Sequence, residues 1–466
     1  MVKMKLVMVN KIERGLLILL VIGSLVGLIW PKQTAGVLAI VSLLVLVAGF
    51  HHLGTAFKWA TGIFFLLGLL IAVLSHFPFL MTCNAINSMD NLIVLLIVMQ
   101  LFTMPITIGH YQDSIIALVN GKLPTNRGFF GFIMLITFLL SSILSMGTVP
   151  IIYSVLGPTI KQRLGENYQQ FSSVAISRSF TLGTLWAPGA ATIFLISTIT
   201  RVPLQRLFAP SFILGLLGLG LVWLMEGHAS YMQGRVTTQH DQTNVNHSLA
   251  RVLQIVLAVV ALLTIAFTLI HFKIGEAMID VAMAGLIVVW GWVMILQRAD
   301  TSHRQTKQAA NAFLQNGLLR GGGLAPFFVA IGLFSNAFEH SPISRMIGQA
   351  VSPFIIHLSW GALILIPLLV VLLSLIGIHP LASVTLLGQV MMGIHLPFTT
   401  LVLALGLNIG SVLSYTMSPF AGIVVVIANI LGVNSATVAL RWNGRYCMIL
   451  LVLSLAFIAT YTVLVR

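Results

Sequence analysis

The chain has 466 residues, of which 58% are hydrophobic and only 7% are charged. A soluble globular protein carries about 25% charged residues, so this composition excludes that class and predicts a protein surrounded by lipid. The formal net charge of +14 does not indicate a nucleic-acid partner, because the basic residues are scattered in short loops, where they set membrane topology.

Apolar runs of about 20 residues recur from one end of the chain to the other, which is typical of a polytopic helical membrane protein. A β-barrel would instead show short strands of alternating polarity. We predict an all-α fold with about 11 transmembrane helices, two re-entrant hairpins and two helices broken at mid-membrane, arranged as an inverted repeat.

The basic N-terminus predicts that the chain starts in the cytoplasm. Residues 1–34 are predicted to form an extra helix that is retained and not a signal peptide, because the first apolar run lacks a convincing cleavage site and many spans follow it. The first half of the repeat is predicted over 35–226, with simple spans near 35–50, 59–77, 91–109 and 207–226.

A hairpin of two half-helices is predicted over 128–160, because the loops on both sides are basic. Lys122 and Arg127 precede the segment, and Lys161 and Arg163 follow it. The positive-inside rule therefore places both ends on the cytoplasmic side. One long, kinked helix is the alternative.

A broken helix is predicted over 172–200, where small, hydroxylated and proline residues interrupt an apolar segment. The polar stretch 227–250 is predicted to be a cytoplasmic linker, and the second half covers 251–466. In that half we expect spans near 251–272, 277–297, 324–340 and 445–464, an amphipathic helix at 308–323, a hairpin at 361–391 and a broken helix at 397–431.

Three short matches at nearly one spacing indicate an internal duplication. Because the predicted spans run the matched elements in opposite directions, the repeat is expected to be inverted, as in many alternating-access carriers. The matches, 230 to 232 residues apart, are Leu101–Thr103 with Leu333–Ser335, Gly147–Pro150 with Gly377–Pro380, and Pro188–Ala190 with Pro419–Ala421.

This pattern resembles the ion transporter superfamily, which includes divalent anion–sodium symporters, arsenite permeases and dicarboxylate carriers. The resemblance rests on the two hairpins, the two breaks and the tip sequences Ser145–Thr148 and Ser374–Gly377. In the symporter branch the tips carry a Ser-Asn-Thr motif, and here Asn is absent from both. The resemblance implies a scaffold, a moving transport domain that binds substrate and ion at the tips, and a homodimer formed through the scaffold.

A helix broken at mid-membrane exposes N–H groups that bind anions and carbonyl groups that bind cations. Hydroxyl side chains at the breaks and tips are also candidates for binding the substrate or the coupling ion, although each can instead form a hydrogen bond within its own helix. The predicted substrate-binding residues are Ser145, Gly147, Thr148, Arg178, Thr184, Pro188, Gly189, Gly377, His379, Ser414, Thr416, Ser418 and Pro419. The predicted coupling-ion residues are Ser145, Gly183, Ser374 and Ser414.

Two charged or titratable side chains in this set have alternative roles. Arg178 is placed to hold a substrate carboxylate or to reach the inner headgroups. His379 is placed to carry a coupling proton or to serve as a structural histidine at the hairpin tip. Since the acidic residues fall near span ends or in loops, an anionic or neutral substrate fits better than a metal ion or an organic cation.

We therefore expect an ion-coupled secondary transporter of a small, carboxylate-like anion that works by elevator-type alternating access. The alternatives are a sodium–proton antiporter and a lipid flippase. The sequence lacks a phosphate-binding loop, a His-Glu-x-x-His motif and clustered Cys/His ligands, so we predict neither an enzyme nor a bound cofactor or metal. Na⁺ or H⁺ is the expected coupling ion. Membrane lipids are the other expected partner. The expected location is the plasma membrane, with the C-terminus outside.

Overall fold

The computed structural model describes residues 2–27, 30–144, 147–227, 229, 232–234, 242–297, 304–394 and 396–464. Within these ranges the regular secondary structure is helical. Ten helical segments of the described chain are long and apolar enough to cross a membrane. This confirms the predicted all-α, polytopic membrane protein.

In the first half, the described residues form twelve helices and include short 3₁₀ turns at 50–52 and 165–167. The helices are α1 (Val2–Gly27), α2 (Pro31–Gly49), α3 (Thr55–Leu74), α4 (Phe79–Asn87), α5 (Asp90–Gln100), α6 (Thr103–Ile108), α7 (Tyr111–Lys122), α8 (Asn126–Leu144), α9 (Thr148–Leu164), α10 (Tyr168–Thr184), α11 (Ala191–Thr200) and α12 (Leu204–Glu226).

The second half repeats this order, with π-helical turns at 313–317 and 437–442 and a 3₁₀ turn at 359–361. Its helices are α13 (Gln242–His271), α14 (Ala277–Gln297), α15 (Arg304–Ala312), α16 (Leu318–Gly321), α17 (Ala325–Glu339), α18 (Pro342–Leu358), α19 (Ala362–Leu375), α20 (Pro380–Met392), α21 (Thr400–Met417), α22 (Gly422–Leu431) and α23 (Gly444–Leu464).

Helices α8 and α9 form a hairpin and not one kinked helix. Arg163, at the end of α9, donates a hydrogen bond of 2.7 Å to the carbonyl of Leu123, just before α8. Its guanidinium also lies 4.7 Å from the ring centre of Phe129. The second hairpin, α19 and α20, closes in the same way: Trp360, just before α19, and Phe398, between α20 and α21, have ring centres 6.1 Å apart. Each segment therefore returns to the side from which it started.

The two halves pack as an inverted repeat. In each half the first hairpin arm packs against the first arm of the broken helix, α8 on α10 and α19 on α21. The second arms also contact the other half, α11 on α20 and α22 on α9. Counted from α2, the chain makes five crossings before the equivalent helix α13 begins: α2, α3, α4–α6, α10–α11 and α12. Because five is odd, the matched helices run in opposite directions.

The helices group into two units. We call α1–α6 with α13–α17 the scaffold, and α8–α12 with α19–α23 the hairpin unit; each packs mainly within itself. Scaffold faces such as that of Trp59 and Leu66 are 71% and 66% exposed, which is expected of side chains that face lipid.

Several boundaries differ from the sequence expectation. The linker predicted over 227–250 is shorter, because α13 already begins at Gln242. Helices α7 and α18 were not predicted, since the positive charges and turn residues around them favoured loops. The glycine-rich end of the segment 308–323 packs inside the scaffold, where an added Cβ on Gly321 would meet the backbone of Ile97 at 2.7 Å.

Candidate functional site

A cavity of about 840 Å³ lies between the scaffold and the hairpin unit. Both hairpin tips, the first break and the scaffold contribute to its wall. Its polar lining residues are Gln100, Thr103, Ser154, Thr184, Thr192, Arg320, His379 and Tyr415. Its other lining residues are Phe57, Leu96, Met99, Gly147, Pro150, Ile151, Phe180, Gly189, Ala190, Ala191, Gly321, Leu324 and Leu381.

The first break presents the N-terminus of α11 to this cavity. Helix α10 ends at Thr184, and Ala190 to Thr192, which begin α11, line the cavity wall. The first N–H groups of a helix have no partner inside it and carry a partial positive charge. This end of α11 is therefore suited to an anion.

Gly189 fixes the break against the first hairpin. Its N–H donates to the carbonyl of Ser142, at 3.0 Å. An added Cβ at Gly189 would lie only 2.7 Å from that carbonyl oxygen. Only glycine allows this approach, which brings the break and the hairpin tip together at the cavity.

We expect Gly189→Val to abolish activity of the site, because the side chain would push the break away from Ser142. Transport in proteoliposomes and a thermal melt of the purified protein would measure the effect. Gly220→Val is the matched control, since an added Cβ there meets nothing within 4 Å. Equal losses in the two variants would contradict the prediction.

His379 is the N-cap residue of α20, the second arm of the second hairpin, and it lines the same cavity. Its Nδ1 accepts a hydrogen bond from the backbone N–H of Leu381, at 3.2 Å, so the neutral ring carries its proton on Nε2. The centre of its ring lies 4.1 Å from the ring centre of Phe57 on the scaffold and 5.7 Å from the ring centre of Tyr415. The preceding turn needs Gly377, whose φ is +96°.

Arg320 is the charged side chain among the described residues that line the cavity. It belongs to α16, which Gly321 allows to approach α5 closely. The sequence predicted an amphipathic helix over 308–323, which contains this arginine, and the structure places the arginine on the cavity wall. The triple glycine that follows it was the available signal, because close helix packing carries the side chain inward.

Four of the predicted substrate residues line the cavity: Gly147, Thr184, Gly189 and His379. Ser145 lies outside the described residues. The remaining predicted residues do not line the cavity. They are Thr148, Arg178, Pro188, Gly377, Ser414, Thr416, Ser418 and Pro419.

Arg178 does not face the cavity, because its donors are used elsewhere. It forms an ion pair of 2.9 Å with Glu226 and donates to Asn443, at 2.9 Å, and to the carbonyl of Trp442, at 2.7 Å. The guanidinium also lies 4.5 Å from the ring centre of Tyr446. Arg178 is only 2% exposed. It thus joins the first broken helix to the last helices of the chain.

The two broken helices touch each other directly. The hydroxyl of Thr416 donates to that of Thr181, at 2.9 Å, and the side chain of Asn408 donates to the carbonyl of Leu185, at 2.9 Å. Leu185 follows the last turn of α10, so the second broken helix satisfies a carbonyl that the first break exposes.

A buried group of serines lies at the junction of the second break and the second hairpin. The hydroxyl of Ser418 donates to the carbonyl of Ser374, at 2.6 Å, and its N–H donates to the carbonyl of Ser414, at 3.0 Å. The hydroxyls of Ser374 and Ser414 are fully buried and have no hydrogen-bond partner among the described residues. At the first break, Gly183 instead packs against Ser141.

Comparison with known proteins identifies a fold and no family. No protein-family model matches the chain, and no curated protein matches it. Among solved structures, the chain is similar to the crystal structure of the YdaH transporter of Alcanivorax borkumensis, which is described as having an unusual topology. The TM-score is 0.56 at 14% sequence identity, over 87% of this chain and 97% of that one. The chain therefore has the fold of a membrane transporter.

Proposed function

We propose that the protein is an ion-coupled secondary carrier of a small organic anion with a carboxylate-like group. The observation that carries this proposal is the cavity where the N-terminus of α11, Arg320 and His379 converge. No carboxylate is among its described lining residues. A site with three sources of positive or donor character and no acid favours an anion.

The remaining lining indicates that the anion also has an apolar part. Phe57, Phe180 and Leu324 are among the apolar residues on the wall. Hydration of such side chains is unfavourable, and an apolar group of the substrate would displace the water from them. One arginine together with this apolar wall favours a substrate with a single anionic end.

We propose an elevator-type movement of the hairpin unit against the scaffold. The cavity lies between the two units, with the tips and first break on one wall and α5 and α16 on the other. Its lining follows α9 from the tip to Ser154, toward the end of that helix at Arg163. By the positive-inside rule that end is cytoplasmic, so this conformation would be open to the inside of the cell.

Flux measurements in proteoliposomes test the proposal. We expect labelled monocarboxylates with an apolar body to accumulate when a Na⁺ or proton gradient is imposed, and simple dicarboxylates to move less. Sodium-driven proton movement without anion flux would instead support an antiporter. Movement of lipid between leaflets without anion flux would support a flippase. Either of the last two results would overturn the proposal.

We propose Na⁺ as the coupling ion, bound by the unpartnered hydroxyls of Ser374 and Ser414. Hard cations prefer oxygen ligands, and each buried hydroxyl without a partner costs free energy that an ion would recover. The alternative is H⁺ carried by His379.

We expect Ser374→Ala and Ser414→Ala each to raise the Na⁺ concentration that gives half-maximal transport by about tenfold. This is the effect of losing one interaction of about 1.4 kcal/mol. Uptake measured at a series of Na⁺ concentrations gives this value. Ser454→Ala is the control, because that buried hydroxyl already bonds Leu450 in its own helix, at 2.6 Å. An unchanged Na⁺ dependence, together with loss of pH dependence in His379→Gln, would assign the coupling to H⁺.

A further inference from the structure

A cluster of potential metal ligands lies in the scaffold, and none of its three residues is among those that line the cavity. His51 and His52 form the 3₁₀ turn that ends α2, and Glu13 lies in α1. One ring nitrogen of each histidine and one carboxylate oxygen of Glu13 all lie within 4.8 Å of one another. The sequence did not predict this site, because the fold brings together residues from two separate helices.

The position of Glu13 is the first sign that an ion belongs here. The side chain is only 1% exposed, and its Oε2 accepts no hydrogen bond among the described residues. Yet Oε2 lies 3.1 Å from Nε2 of His52. Two ligands that hold one zinc ion at about 2.0–2.1 Å in a tetrahedral site are separated by about 3.3 Å. The pair therefore has the spacing of two ligands of one ion.

The neighbouring groups complete such a site. The side-chain oxygen of Asn10 also lies 3.1 Å from Nε2 of His52. Nδ1 of His51 lies 2.7 Å from the carbonyl of Ala48. A nitrogen that donates to a carbonyl carries the proton, which leaves Nε2 of His51 with its lone pair. Metal-binding histidines are commonly oriented in this way by a backbone carbonyl.

We propose that Glu13, His51 and His52 bind a divalent transition-metal ion of the zinc class, with Asn10 or water as a further ligand. Two imidazoles and one carboxylate suit zinc, whereas calcium and magnesium prefer six or more oxygen ligands. Both histidines are exposed, so an ion can enter from solvent. Gly49, the last residue of α2, lies against both Glu13 and Pro326 of α17. The ion would fasten α1 to the end of α2 within the scaffold.

Metal binding by the purified full chain, carrying an affinity tag without histidines, tests the proposal. We expect one Zn²⁺ per chain after dialysis by elemental analysis, and a visible absorption band when Co²⁺ is added instead. His52→Ala should weaken Zn²⁺ binding at least about tenfold. His340→Ala is the control, since this exposed histidine bonds the carbonyl of Asn336 and lies outside the cluster.

A second measurement separates binding from misfolding. Zn²⁺ should raise the melting temperature of the wild type and of the His340 control, and should leave that of the His51→Ala and His52→Ala double variant unchanged. These two histidines are exposed, so their removal leaves the core intact. Absence of a bound ion in the wild type would overturn the proposal. So would equal affinity in the wild type and the double variant.

Discussion

Replacing Arg320 with Gln is expected to raise the substrate concentration for half-maximal transport roughly thirtyfold. A hydrogen bond between a guanidinium and a carboxylate contributes about 2 kcal/mol, and each 1.4 kcal/mol corresponds to about tenfold in affinity. Arg320→Lys keeps the charge but loses the planar pair of donors, so it should retain part of the affinity. Uptake kinetics with a monocarboxylate would measure both variants.

Lys307→Gln is the matched control for this loss of charge. Lys307 is an exposed residue of α15, close to Arg320 in sequence, and it does not line the cavity. If the two variants changed the apparent affinity equally, the effect would reflect the general surface charge. Unchanged affinity in Arg320→Gln would remove the arginine from the site.

Replacing Arg178 with Met is expected to destabilise the protein by about 3–5 kcal/mol, because it removes the cation from a buried ion pair. The affinity of the remaining folded protein for substrate should stay unchanged, since Arg178 contacts Glu226, Asn443 and Trp442. Thermal melts of the purified protein, together with uptake kinetics, separate these two effects.

The double variant Arg178→Met with Glu226→Gln should recover part of the stability, because it also removes the buried anion. Arg445→Met is the control, as Arg445 is exposed at the start of α23. A variant at Arg178 that melts like the wild type but binds substrate weakly would return this residue to the substrate site, where the sequence had placed it.

The hairpins and breaks were predictable because each leaves a local signal. Pro150 and Pro380 stand close after a glycine at equivalent tips, and Pro188 and Pro419 interrupt the two broken helices. Proline lacks the N–H that a helix interior needs, so it marks the end of a helix whatever surrounds it. The basic residues on both sides of 128–160 likewise predicted the hairpin from charge alone.

The asymmetry of the site was not predictable from the same signals. From the sequence, substrate-binding residues were predicted at both breaks. In the structure, Thr184 and Gly189 of the first break line the cavity, whereas near the second break Tyr415 is the lining residue among those described. Which break opens depends on the position of the hairpin unit against the scaffold, and that position is a property of many packing contacts. Hydroxyl residues alone cannot indicate it.

Composition and local patterns determined that this is a duplicated helical membrane protein with two hairpins and two broken helices, because lipid forces every backbone polar group to be satisfied within such elements. Only the tertiary structure decided the partners of the charged residues. It pairs Arg178 with Glu226, turns Arg320 to the cavity and brings Glu13 to His51 and His52. A buried charge must find a partner or a polar cavity, and distance along the chain does not show which one it finds.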